Sequence, residues 1–155
     1  MATMKMPRVI AALAVAALAL GSSACSLLSG PSYRDSNGQV TASATVSTSA
    51  LEVGDCLLDM PNSSVIDTLT LVPCTTAHLA EVYAVSSLKM NDTNSIEQYC
   101  RDEFETYVGV AYDDQEDLSV TYIHNDSSKT TTSVQCILSP EDNSTTTQSY
   151  KDSKS

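Results

Sequence analysis

The chain has 155 residues and carries 8 Lys and Arg against 19 Asp and Glu, a formal net charge of −11, which argues against a nucleic-acid or anionic-membrane binder working through its own charge. Charged residues make up 17% and apolar residues 42%, so charge-driven disorder of the whole chain is set aside as well. Trp is absent and Phe occurs once, leaving seven Tyr as the aromatic residues, and five Gly with five Pro exclude a fibrous repeat.

Lys5 and Arg8 precede an unbroken apolar run from Val9 to Leu20, which ends in Gly21-Ser22-Ser23-Ala24-Cys25. That order of charged, apolar and small residues predicts a secretory signal over 1–24. The apolar run is too short to span a bilayer, which takes roughly 20 residues. Cys25 directly after a small residue resembles the lipobox of bacterial lipoproteins, in which the cysteine is acylated and becomes the mature N-terminus. Ser22 stands where a lipobox usually has Leu, and Ser22 with Ala24 equally suits an ordinary secretory peptidase; both readings cut before Cys25. Losing Lys5 and Arg8 with the signal leaves a net charge of −13.

Residues 25–50 are mostly Ser, Thr, Ala, Gly and Asn with little apolar periodicity. They are expected to form a flexible, lipid-anchored linker with a root-mean-square reach of roughly 25 to 30 Å. Residues 51–139 contain the other four cysteines and nearly every β-branched or aromatic cluster outside the signal, and they are the expected domain. Its predicted elements, in order, are a short strand over Leu51–Leu57 and a strand over Asp67–Cys74, stopped by Pro73. A strand over Ala80–Leu88 follows, with Val82 and Ala84 on one face, Tyr83 and Val85 on the other, and both faces covered. A helix capped at Asn94 or Ser95 comes next, with Ile96, Tyr99, Cys100, Phe104, Tyr107 and Val108 on one stripe and Gly109 at its end. Strands over Leu118–His124 and Thr130–Leu138 close the series, joined in a hairpin. The order predicts an α+β domain with a mainly antiparallel sheet and one packed helix. Residues 140–155 are polar and are expected to be a disordered tail.

Setting Cys25 aside leaves Cys56, Cys74, Cys100 and Cys136, which in an exported domain of this size point to two disulfides. Three pairings are open. The favoured one joins Cys56 to Cys74, linking the first two strands, and Cys100 to Cys136, pinning the helix to the last strand. The Asn-x-Ser/Thr sequons at Asn62, Asn91, Asn125 and Asn143 read as polar loops.

The ordered set Val53-Gly54-Asp55-Cys56-Leu57, Val72-Pro73-Cys74, His78 with Glu81-Val82, helical Cys100 with Tyr107-Val108-Gly109, and Val134-Gln135-Cys136-Ile137-Leu138 resembles the actinobacterial "septum formation" domain family. Ala77 stands where that family often has Pro, and its common late Trp is missing. The resemblance implies an exported or membrane-tethered module connected with cell division, and it supplies no biochemical activity.

His78 and Glu81, three apart, are the best local constellation: a pair able to share a hydrogen bond across a turn, and a candidate contact for a ligand or partner. No nucleophile motif or metal-ligand spacing accompanies them, so no catalytic residue is expected. A zinc site from Cys74, His78 and Cys100 is set aside for want of a C-x-x-C pair, and neither metal nor cofactor is expected. Asp113, Asp114, Glu116 and Asp117 lack calcium-loop spacing and read as a solvated loop, and His124 as a surface hairpin residue. The sequence therefore predicts a non-enzymatic lipoprotein on the outer face of the cytoplasmic membrane. Its expected partners are the membrane, through the N-terminal lipid, and an envelope protein or cell-wall component, with no nucleic acid. The alternative is an exported small-ligand-binding or enzyme-inhibitory domain.

Overall fold

The computed structural model describes residues 32–60, 66–89, 93–126 and 131–154. The signal and Cys25 lie outside the described residues, as do Asn62 and Asn91. Seven principal elements follow one another: β1 (Ala44–Ser47), β2 (Cys56–Leu57), β3 (Thr68–Val72), β4 (Ala80–Lys89), α1 (Thr93–Val108), β5 (Leu118–Asp126) and β6 (Thr131–Pro140). The strands form one antiparallel sheet in the order β1-β3-β2-β4-β6-β5. The class is α+β, and both favoured disulfides are present, Cys56–Cys74 and Cys100–Cys136, with Cα separations of 5.3 and 5.5 Å.

The two sheet faces are both covered. Ile96, Cys100, Phe104, Tyr107 and Val108 of α1 pack on Tyr83, Ala84, Leu118, Val134, Cys136 and Leu138, so the helical stripe works as its spacing predicts. Tyr83 sits edge-on to Phe104 and donates its hydroxyl to the Cys100 carbonyl at 2.7 Å, which satisfies the polar end of a buried ring. The other cluster joins Leu57, Leu69, Leu71, Ala80, Val82 and Ile137 to Val46 and Leu51, with Tyr33, Val40 and Ala44 packed against it. Gly109 closes α1 as expected, at φ +89, with its N–H donating to the Glu105 carbonyl at 2.9 Å. The predicted cap residues Asn94 and Ser95 fall inside the first turn, because the helix already runs from Thr93.

Strict alternation fails in β4. A register shift between Val82 and Ala84 places two residues against one on β6, and this bulge turns Tyr83 and Ala84 toward α1 while Val82 faces the opposite cluster. Val82 and Ala84 are therefore on different faces, and Val85 is exposed.

The domain boundaries are wider than the sequence suggests. The compact unit begins at Ser32, and the described residues in it correct the flexible-linker expectation over 32–50 and the disordered-tail expectation over 140–154. Polar composition does not prevent ordering here, because these flanks contribute backbone pairing and a few apolar anchors in place of a core of their own. β1 pairs with the edge of β3, Arg34 bridges to Val40, and Thr146 exchanges two backbone hydrogen bonds with His78 at 3.0 Å each. The predicted strand over Leu51–Leu57 shrinks to two residues because a tight turn precedes it, with Gly54 at φ +92, a backbone state that glycine adopts freely.

Candidate functional site

Four segments converge beside the start of β4. The turn before β2 brings Gly54 and Asp55, the end of β3 brings Pro73 and Cys74, the last turn of α1 brings Tyr107, and the C-terminal segment brings Thr147 to Ser149 and Lys151. Together with the loop Asn37–Val40 they line a cavity of about 440 Å³, within the usual range for small-molecule sites of about 300 to 1,000 Å³.

Glu81 is the hub behind this cavity. It is fully buried, a position that β4 fixes by pairing it with Leu138 on one side and Cys56 on the other. Its Oε1 accepts from the Tyr107 hydroxyl at 2.6 Å and the Ser149 hydroxyl at 2.5 Å, and its Oε2 accepts from the Tyr150 N–H at 2.7 Å. Three donors thus converge on one buried carboxylate and satisfy its acceptor oxygens. The C-terminal segment is thereby clasped as a strap, and it in turn closes α1: the Asp152 and Lys154 N–H groups donate to the Tyr107 and Val108 carbonyls at 2.9 Å each. Burial, and after it the hydrogen bond to Glu81, raises the Tyr107 hydroxyl above the usual tyrosine range.

The opposite rim is locked by an ion pair. Arg34 grips Asp55 with both terminal nitrogens, at 2.6 and 2.7 Å, and also donates to the Gly38 carbonyl at 2.9 Å. Asp55 is almost wholly buried and additionally accepts from the Glu52 N–H at 2.8 Å. The two-pronged hydrogen bond to Asp55 holds the Arg34 guanidinium above its ordinary value, against the opposing effect of its own partial burial. The loop between them follows the Asn37-Gly38 turn, where the Asp35 carboxylate accepts from the Asn37 and Gln39 N–H groups.

Of the residues singled out from sequence, His78 and Glu81 are both fully buried and do not meet as a surface contact pair. The expected shared hydrogen bond is absent among the described residues. His78 Nδ1 lies 2.8 Å from the Thr76 carbonyl, so Nδ1 carries the proton, and Nε2 has no partner among the described residues. Glu81 instead serves the strap. Cys56 and Cys74 lie with a Glu81 carboxylate oxygen in a group whose donor atoms are within 4.8 Å of one another; as a disulfide the two sulfurs offer no thiolate to a metal. Cys100 is likewise tied to Cys136, so the imagined zinc ligands are not thiolates either. His124 is exposed, and Arg101 reaches Asp113 of the acidic loop at 3.3 Å. Arg34, Ser149 and Tyr150 escaped sequence reasoning; the Asn37-Gly38 turn signal beside Arg34 was the cue to the first, while nothing local marks the other two.

The chain is 36% identical over 102 residues to a protein named "Putative lipoprotein LppN" from Mycobacterium tuberculosis, and the same holds for its namesake in Mycobacterium bovis. Each match covers 58% of this chain and 56% of the relative, so the chain spans about half the length of the curated relatives it matches. No protein-family model and no solved structure matches the chain. The names of both relatives support an exported lipoprotein.

Proposed function

We propose that this chain is a non-enzymatic lipoprotein of the cell envelope, held by acylated Cys25 at the outer face of the cytoplasmic membrane, whose domain engages an envelope protein or wall component during septum formation. The observation that carries the anchoring is a cysteine at the end of a secretory signal in a chain similar to two mycobacterial proteins named as lipoproteins. The septal part rests on the ordered Gly-Asp-Cys, Pro-Cys, His and Glu-Val motifs. Replacing Cys25→Ser should release the protein from membranes into the medium; firm retention on membranes would refute lipid anchoring. A functional fluorescent fusion carrying the native signal should gather at midcell before constriction, and a uniform envelope signal would remove the septal role.

A second reading, a small-ligand-binding domain, is favoured by the cavity between the Asn37–Val40 loop and the strap. Loss of a bound small molecule on Val53→Trp, a bulky replacement at an exposed position lining the cavity, with the melting curve unchanged, would select it over the protein-binding reading.

A further inference from the structure

We propose that the Cys56–Cys74 disulfide is a thiol-capture site, at which a small zwitterionic thiol entering the cavity becomes held on Cys74 as a mixed disulfide. The two disulfides of this domain occupy different surroundings. Cys100 and Cys136 are both fully buried between α1 and β6. Cys56 is equally buried, but Cys74 is only half-buried and lines the cavity. A thiolate arriving through the cavity therefore meets the Cys74 sulfur first, with Cys56 as the leaving group.

The step balances without an added oxidant. The ligand thiol releases its proton to water in the cavity, its sulfur bonds to Cys74 Sγ, and the Cys56–Cys74 bond breaks with its electron pair moving to Cys56. The ligand sulfur is oxidised, Cys56 is reduced, and Cys56 takes up a proton. Tyr107 and Ser149 line the cavity and their hydroxyls both donate to Glu81 Oε1, whose carboxylate has an oxygen within 4.8 Å of the sulfurs, which gives that proton a hydrogen-bonded route inward. The same carboxylate decides the outcome. Cys56 leaves into a buried place beside the Glu81 carboxylate, so it departs as the neutral thiol, its proton arriving as the S–S bond breaks, and exchange is slow in both directions. Neutral Cys56 attacks the mixed disulfide poorly, so the adduct persists and the site captures its ligand rather than turning it over.

The cavity walls define the ligand further. Glu52, which is largely exposed, and Lys151 both line the cavity, so a ligand carrying an ammonium and a carboxylate finds a partner for each. The fold has reason to survive opening of this bond, since β2 stays hydrogen-bonded to β3 and β4 and the core disulfide remains.

The test is to incubate the full native chain with L-cysteine without denaturant, block remaining thiols with an alkylating agent, and map the peptides by mass spectrometry while far-ultraviolet circular dichroism reports folding. The expected result is cysteine on Cys74, a free alkylated Cys56, an intact Cys100–Cys136 bond, an unchanged spectrum, and labelling at least about tenfold faster than with uncharged 2-mercaptoethanol after each rate is divided by that thiol's rate on a small-molecule disulfide, which removes the difference in thiol acidity. Reaction that appears only after unfolding, or equally at both disulfides, would overturn the capture site. Equal normalised rates for the two thiols would overturn the zwitterionic ligand.

Discussion

Replacing Glu81→Ala tests whether one buried carboxylate holds the C-terminal strap. The substitution strands the Tyr107 hydroxyl, which sits in the core at 6% exposure; a buried donor left without its charged acceptor costs roughly 2 kcal/mol. The Ser149 hydroxyl and Tyr150 N–H lose their acceptor too, but the strap is near solvent and both rehydrate when it lifts, so each accounts for roughly 1 kcal/mol. Removing the carboxylate also ends its desolvation, which returns a few kcal/mol, and the cavity left at this buried position cancels all but about 1 kcal/mol of that. The net expectation is a loss of about 3 kcal/mol in urea denaturation with both disulfides oxidised. The isosteric Glu81→Gln variant sharpens the test: its carbonyl still accepts from Tyr107 and Ser149, while its amide faces the Tyr150 N–H, donor against donor. That variant should lose roughly 1 to 2 kcal/mol, and hydrogen exchange should quicken first at Tyr150, Asp152 and Lys154, ahead of the sheet. If Glu81→Gln matched the parent in stability and in exchange at these positions, the carboxylate would not be the clasp.

Arg34→Ala leaves Asp55 nearly buried with a single remaining donor among the described residues, the Glu52 N–H, and should destabilise by about 3 kcal/mol, the lower end for a broken buried pair; stability equal to that of the parent in urea would show the N-terminal arm to be dispensable. Burial raises the hydroxyls of Tyr83 and Tyr107, so above a pH of about 10 the unfolded chain gives up protons that the fold keeps. Their contribution is complete below that pH and is lost as pH climbs further, so urea midpoints should fall between about pH 10 and 12 and fall less steeply in Tyr83→Phe; midpoints constant across that window would refute it.

The helix and the central strands were legible because burial imposes a period. Ile96, Cys100, Phe104 and Tyr107 could only be a helical stripe, and Cys100 on that stripe opposite an inward Cys136 foretold their bond. The β4 bulge was not legible, since alternation says nothing about where a strand gains a residue, and one inserted position moved Ala84 to the other face. The flanks were misjudged for a different reason. A Ser/Thr-rich segment reveals no face, yet β1 is ordered by backbone pairing along β3, and the strap by donors to a glutamate more than sixty residues away. Glu81 was picked out for its spacing from His78, whereas its partners lie on α1 and the strap, a relation that exists only in three dimensions.

The early start of the folded unit changes what an anchored domain can reach. A flexible linker through residue 50 would let the domain search well away from the bilayer, whereas the chain is ordered from Ser32, which removes residues 32–50 from any such linker. If Cys25 bears the lipid, extended chain at about 3.5 Å per residue keeps Ser32 within roughly 25 Å of the attachment point. A chain cut before Cys25 would carry a net charge of −13, and the Debye length of about 8 Å at physiological ionic strength would confine its repulsion from anionic lipid to close approach. On the proposed anchoring, this length bound and the charge favour the layer just above the membrane over the depth of the wall. The strap adds a constraint on how that is examined: Asp152 and Lys154 are hydrogen-bonded to the end of α1, so a fluorescent protein fused directly after Ser155 would pull on the fold, and a long Gly/Ser spacer is required before its position can be read as the domain's own.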